Sequence, residues 1–434
     1  MTDPEGTPVV TCFLRNGTDV LLLRRSDAVG SYPGRWGGVA GHVEPGDGED
    51  GVAGREPADA ARAEIRQETG LGDRVSLVRV GDPFPAHDDD HGTWVVHPFL
   101  FECDSRAVET NRETSEFEWA PPTAMLDRET VPDLWRSYEA VAPTVETVRE
   151  DRDHGAAYLS VRALEVLRDR AARDAHEGDA EWDSLAELAR DLREARPSMT
   201  VVVTRIDRAM HAADGDPSAV RNRAEEVIED ALAADEAAAD RAVEELAGAE
   251  RVLTLSRSGT VAETLDRLAP DRVFVAESRP GGEGRGVAES LADSTAVTLL
   301  TDSTVAHALA TEPIDAVLVG ADTVLPDGRV VNKVGTRGAA LAAAHEGVPT
   351  VVVTARDKIR PEGESGDPDL EPRPASEVYD GDASLEVLAP TFDVTPGEVV
   401  SLVTEVGVLD AAGVARVARD ARERAGWVAG TGNQ

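Results

Sequence analysis

Over its first hundred residues the chain alternates strand-sized apolar runs with polar turns. Residues 8–14 and 20–23 are apolar runs on either side of Asn16-Gly17, a dipeptide suited to a tight hairpin turn. They predict a strand, a turn and a strand. A Gly-rich stretch runs from Gly30 to Gly48, and residues 57–69 read as a short helix opened by Pro57 and ended by Gly70. Strands are expected near 75–80 and 94–103. A helical stretch is expected to start at Pro121-Pro122, and a charged helical connector to run over about 133–152.

Between 158 and 249 the period becomes helical. Tyr158, Val161, Leu164, Val166 and Leu167 mark one apolar face. Leu185, Leu188, Ala189 and Leu192 mark a second helix that stops before Pro197, and 217–247, rich in Ala and Glu, reads as a long one. From 251 onward short apolar runs alternate with helical segments, at 252–255, 273–276, 297–300, 316–319 and 350–353. Strand-sized runs with intervening helices predict a parallel, doubly wound sheet, because strands covered on both faces need no polar side. Residues 360–374 form a Pro/Gly/Glu/Asp-rich loop. The expected class is α/β, with domains at 1–145, 150–249 and 250–434.

Charge changes the picture of the surface. The 434 residues hold 83 Asp+Glu against 44 Lys+Arg, a net charge of −39. Only Lys333 and Lys358 are lysines. Acid excess spread along the whole chain, with lysine nearly absent, resembles the composition of extreme halophiles. Self-repulsion at this charge predicts instability at low salt. With no basic stripe, nucleic-acid binding is not expected. No apolar run approaches a bilayer span. Two cysteines, Cys12 and Cys103, exclude a disulfide framework, and the expected location is cytoplasmic.

Two constellations carry chemistry. In the first, Gly41-His42-Val43-Glu44-Pro45-Gly46-Asp47 precedes the helix that contains Glu64, Gln67 and Glu68. Glu64 and Glu68, four apart, share one helix face, where they repel unless a cation lies between them. Oxygen donors suit Mg²⁺ or Mn²⁺ with a bound diphosphate. The sequence His87-Asp88-Asp89-Asp90-His91 reads as an exposed acidic loop, and His97 lies further on.

The second constellation lies at predicted strand ends. Ser256-Arg257-Ser258-Gly259-Thr260, Glu277-Ser278-Arg279-Pro280-Gly281, Asp302-Ser303-Thr304 and Gly320-Ala321-Asp322 follow four successive strands, and Asn332-Lys333-Val334-Gly335-Thr336 comes shortly after. In open α/β sheets ligands bind at the carboxyl ends of strands, and Ser/Gly turns before helices offer N–H groups to anions. Arg279 and Lys333 add positive charge, and Asp322 can move a proton. Together these favour a phosphorylated small molecule.

On these residues the region over about 8–140 resembles the Nudix hydrolases. Gly41, Glu64, Ile65, Glu68, Gly70 and Leu71 fit that signature, with Pro33-Gly34-Arg35-Trp36 and Glu118-Trp119 flanking it. Asp47 stands for the first signature glutamate, Ala63 for the arginine and Gln67 for the first glutamate of the pair, and the interval 48–62 is about eight residues longer. The resemblance implies an α/β/α sandwich. It also implies a metal site made by Gly41, Glu64, Gln67 and Glu68, with Glu64 helping to activate water for hydrolysis of a nucleoside diphosphate linked to another group. A Nudix fold kept for binding or sensing is the alternative.

Residues 154–434 resemble the translation initiation factor 2B alpha/beta/delta family and its sugar-phosphate isomerases. The resemblance rests on Arg196-Pro197-Ser198-Met199, the Ser-Gly-Thr turn, the Glu-x-Arg-Pro-Gly stretch, Gly-Ala-Asp and Asn-Lys-Val-Gly-Thr. It implies a helical subdomain, then a Rossmann-like one that homo-oligomerises. It also implies phosphate contacts at Ser258, Gly259, Thr260, Arg279, Asn332 and Lys333, and Asp322 and Ser256 at the catalytic positions. The isomerases carry a cysteine where Ser256 stands, and an arginine where His154 stands. These changes favour ligand binding over isomerisation. Three readings follow for this half: a sugar-phosphate- or nucleotide-binding module, a regulatory protein that partners translation initiation factor 2, or an aldose–ketose isomerase.

Overall fold

A computed structural model describes residues 6–43, 56–89, 92–178, 182–213, 215–364 and 366–432. The chain divides into two compact units, 1–143 with 172–179, and 144–171 with 180–434.

The first unit is built on a mixed sheet. β1 (Thr7–Asn16) and β2 (Asp19–Arg25) form the expected hairpin around Gly17, whose φ of 68° is the left-handed value the turn needs. β3 (Trp36–Gly37) and β4 (Val39–His42) come from the Gly-rich stretch. After α1 (Pro57–Thr69), the chain adds β5 (Val75–Val80), β6 (Phe84–Asp88), β7 (Gly92–Cys103) and β8 (Thr114–Ala120). The sheet runs β3-β2-β1-β7-β5, with β4 on β1, β6 on β7 and β8 on β2. The β1–β7 pair is parallel and in register from Thr7↔Trp94 to Arg15↔Glu102.

Alternation along β1 divides the core. Val10, Cys12 and Leu14 pack with Ala60, Ala61 and Ile65 of α1. Phe13 faces the opposite side and packs with Leu134, Tyr138 and Val141. α1 begins at Pro57 as expected, and Gly70 ends it with φ 71°. The expected connector over 133–152 is not one helix. It breaks into α2 (Leu134–Glu139) and α3 (Val145–Glu150), with Pro143 in the gap.

The second unit opens with helices α4 (Ala156–Glu177), α5 (Trp182–Ala195), α6 (Thr200–Met210) and α7 (Pro217–Glu245). Their core gathers Leu159, Leu164 and Leu167 with Leu185, Leu192, Val202, Ile206 and Ile228. Then come β9 (Arg251–Leu255), α8 (Gly259–Leu268), β10 (Arg272–Ala276), α9 (Glu283–Leu291), β11 (Ala296–Leu300), α10 (Val305–Thr311) and β12 (Ala316–Val319). β13 (Thr323–Val324), β14 (Val330–Lys333), α11 (Thr336–Glu346) and β15 (Thr350–Val353) follow. The chain continues with β16 (Phe392–Thr395), β17 (Ser401–Thr404), β18 (Gly407–Leu409) and α12 (Ala411–Arg424).

The main sheet runs β11-β10-β9-β12-β15-β17-β18, parallel except at β18. All five expected runs are strands in it. The strand order reverses between β9 and β12, which is where such sheets open a crevice. A small sheet, β13-β14-β16, carries Asn332 and Lys333 at the end of β14.

Candidate functional sites

In the first unit the buried stripe of α1 is Ala60, Ala61, Ile65, Glu68 and Thr69, so Glu68 sits where the helical period calls for an apolar residue. Glu64, one turn earlier, lies against Gly41 of β4. A Cβ on Gly41 would meet the Glu64 carboxylate at 2.1 Å, so any larger residue there would move the Glu64 side chain from this position. Burial, then the nearby Glu64 and Glu113 charges, push the Glu68 carboxyl up to about 8, against Arg25 and the Ala40 N–H. The same pair, after burial, raises the Cys12 thiol beneath it. Two carboxylates forced together at a glycine cradle fit a hard divalent cation.

Among the described residues no three His, Cys, Asp or Glu side chains assemble as a metal cluster. Glu44 and Asp47 lie outside the described residues, as do residues 48–55 of the lengthened interval, while 57–62 begin α1. Gln67 is exposed, one position off the buried stripe. His87 is exposed, with Nδ1 3.0 Å from Thr93 Oγ1 and Nε2 3.6 Å from Asp89, while Asp90 and His91 are outside the described residues. His97 lies within β7.

In the second unit the loops singled out by sequence interlock. Ser256 and Ser278, at the ends of β9 and β10, have φ of 61° and 65°, a conformation L-residues adopt at a cost. The Ser256 N–H donates to Ser278 Oγ at 2.7 Å. The Ser278 and Arg279 N–H groups donate to the Asp302 carboxylate at 2.8 and 2.6 Å. Ser258 caps α8, with Thr260 buried in its first turn, and its Oγ would lie 2.9 Å from a Cβ on Gly320. Gly259 starts that helix. Lys333 donates to the Pro280 carbonyl at 2.6 Å and pairs with Glu283 at 2.9 Å. Asn332 donates to Thr336 Oγ1 at 2.9 Å. The Arg279 side chain is exposed.

Asp322 is the centre of this arrangement. Burial pushes its carboxyl up and Glu371 adds to that, while Lys358, Lys333 and Arg196 oppose it. Lys358 sits just beyond β15, next to β12, and donates to the Ala321 carbonyl at 2.7 Å. Burial lowers its ammonium against the pull of Asp322 and Asp235. Both lysines of the chain are therefore buried, at 4% and 7% exposure, and both act on one carboxylate. Lys358 and Glu371 were not among the expected site residues. The scarcity of lysine was the one signal that pointed to Lys358. Ser198 is also drawn in, donating to Glu371.

This combination defines an α/β protein with two candidate sites, a carboxylate pair that suits a cation and a group of strand-end loops around Asp322 with Lys358, Lys333 and Arg196 acting on it. The NUDIX domain pattern matches residues 6–141. The pattern of the Initiation factor 2 subunit family matches residues 152–411, and the chain belongs to that family. It is 32% identical to methylthioribose-1-phosphate isomerase of Methylococcus capsulatus, over 66% of this chain and 89% of the relative. Ribose 1,5-bisphosphate isomerase of Haloterrigena turkmenica is 31% identical, over 62% of this chain and 89% of the relative. Among solved structures, a translation initiation factor eIF-2B from Pyrococcus horikoshii aligns with 24% identity and TM-score 0.53, covering 61% of this chain and 94% of that one. The 5-methylthioribose 1-phosphate isomerase of Pyrococcus horikoshii aligns with 20% identity and TM-score 0.51, covering 72% and 90%. These two likenesses establish the fold. Among the described residues no helix is long and apolar enough to cross a membrane.

Proposed function

We propose that the N-terminal unit is a Mg²⁺- or Mn²⁺-dependent hydrolase of a nucleoside diphosphate linked to a second group, and that the C-terminal unit binds a phosphorylated sugar or nucleotide. The observation that carries the first part is the Glu64 carboxylate lying against Gly41, one helix turn from the buried Glu68, whose carboxyl burial and Glu64 push upward. Glu64, Glu68 and the Gly41 carbonyl would hold the cation, with Gln67 supplying a weaker neutral oxygen. When bound, the cation neutralises phosphate charge and lowers the pKa of water. Glu64 would also help to orient and activate the attacking water.

The test is release of phosphate or mononucleotide in molar KCl with Mg²⁺. The panel holds nucleoside triphosphates, ADP-ribose, sugar nucleotides and dinucleotides, with Glu64→Gln as control. Turnover that disappears in the control supports the reading. Equal turnover in Glu64→Gln removes Glu64 from the mechanism.

A second reading for the C-terminal unit, aldose–ketose isomerisation, is favoured by Asp322. A carboxyl raised by burial while ringed by Lys358, Lys333 and Arg196 can both hold and release a proton beside a bound phosphate. The two relatives above are named for such reactions. Incubation with methylthioribose 1-phosphate and ribose 1,5-bisphosphate, followed by NMR, tests it. Absence of ketose from both leaves the binding module.

A further inference from the structure

The Ser256 turn is anchored through its backbone N–H, which donates to Ser278 Oγ. A serine hydroxyl without an activating base is a poor proton carrier, so acid–base chemistry opposite Asp322 needs another group.

The segment 151–154 packs on that turn. Arg257, next to Ser256, donates from Nη2 to the Asp153 carbonyl. Arg196, which acts on the Asp322 carboxyl, donates from Nη1 to the Asp151 carbonyl. Within the segment, His154 Nδ1 lies 2.8 Å from Asp151 Oδ2. Asp151 Oδ1 accepts the N–H groups of Asp153 and His154, both at 2.9 Å. The imidazole stacks on Tyr158, with ring centroids 4.1 Å apart and planes 18° apart. A carboxylate on Nδ1 and an aromatic plate fix the ring. Nε2 is then the nitrogen that exchanges protons, on a side chain 49% exposed and open to a ligand.

We propose that His154, oriented by Asp151, is a catalytic acid–base residue of the C-terminal site, working opposite Asp322 on a sugar phosphorylated at C1. The proposal rests on the isomerase reading. Protonated Asp322 gives its proton to the ring oxygen as the C1–O bond opens. His154 Nε2 takes the C2 proton, and the C2–H electrons form the C1=C2 bond. The C2 hydroxyl proton then passes to the Asp322 carboxylate, and its electrons form C2=O. The C1=C2 pair takes the proton back from His154 at C1. Both side chains end as they began, aldose has become ketose, and no co-reactant is consumed.

The experiment follows ketose formation from methylthioribose 1-phosphate and ribose 1,5-bisphosphate in molar KCl, for wild type, His154→Gln and Asp151→Asn. The expected result is a loss of about 100-fold or more in kcat for His154→Gln, with KM nearly unchanged. The acidic limb of the pH profile should vanish in that variant and be displaced in Asp151→Asn. Wild-type turnover retained in His154→Gln overturns the proposal and leaves the isomerase reading standing. A raised KM with kcat intact makes His154 a ligand contact and also overturns it. No conversion by the wild type removes both the reading and the proposal.

Discussion

Arg208 on α6 reaches the Asp357 carboxylate at 2.8 Å, and Arg205 on the same helix approaches it at 3.4 Å. Asp357 directly precedes Lys358, and its own carbonyl accepts the Thr204 hydroxyl. The helical part of the second unit thus clamps the residue beside the ammonium that holds Ala321.

Breaking that clamp should be costly. Burial would raise the Asp357 carboxyl, but Arg208 and Arg205 bring it below its ordinary value. A depressed carboxyl stabilises the fold above its unfolded pKa of about 3.9 and loses that contribution as pH falls through the folded value. Asp357→Asn should destabilise by about 3 kcal/mol at neutral pH, because the buried Arg205 and the half-buried Arg208 lose their shared carboxylate, although Arg208 keeps Asp230. The gap between wild type and variant should close in acid. Thermal melts from pH 7 down to pH 3 read both effects.

The Glu68 carboxyl carries the opposite sign. Its folded pKa of about 8 lies above the unfolded range, so the protonated form favours folding and stability falls as pH rises from about 4.5 toward 8. A bound cation should remove this penalty. Mg²⁺ should therefore raise Tm more at pH 8 than at pH 5, and Glu68→Gln should flatten the pH dependence. The full linkage is on the order of 5 kcal/mol. Equal Mg²⁺ effects at both pH values would count against a site at Glu68.

Gly41→Ala tests the cradle. The added methyl needs the space the Glu64 carboxylate occupies. Metal-dependent hydrolysis should fall by about 100-fold or more if Glu64 is displaced, with little change in the C-terminal unit. Steady-state assays with a thermal melt as control separate loss of function from loss of fold.

Salt dependence follows from the net charge of −39. Screening shortens the reach of self-repulsion to about 3 Å at 1 M salt. Tm should rise markedly between 0.1 M and 3 M KCl. A constant Tm would mean that the acidic surface is not a halophilic adaptation.

Much of the fold was legible because burial leaves a simple trace. The strands β9, β10, β12 and β15 are covered on both faces, so they appear as unbroken apolar runs. β8, Thr-Ser-Glu-Phe-Glu-Trp-Ala, is mostly exposed and lacks that trace, although it pairs with β2 along its length. β17 begins and ends in hydroxyl residues and is held by its neighbours β15 and β18. In the candidate sites, Glu64 and Glu68 were visible from their spacing. Lys358 was visible only as a rare residue type, because its place beside Ala321 depends on β15 lying next to β12. The Asp151–His154 contact spans three residues in a loop, where no periodicity announces it.

The burial of both lysines has a practical corollary. Apart from its α-amino group, the folded chain offers amine-directed reagents no freely accessible target, since Lys333 and Lys358 are its only ammonium side chains and both are enclosed. Acylation of either would then report a local opening of the structure around Asp322. Enzymes that attach acyl groups or other proteins to surface lysines would find nothing to modify while this chain stays folded.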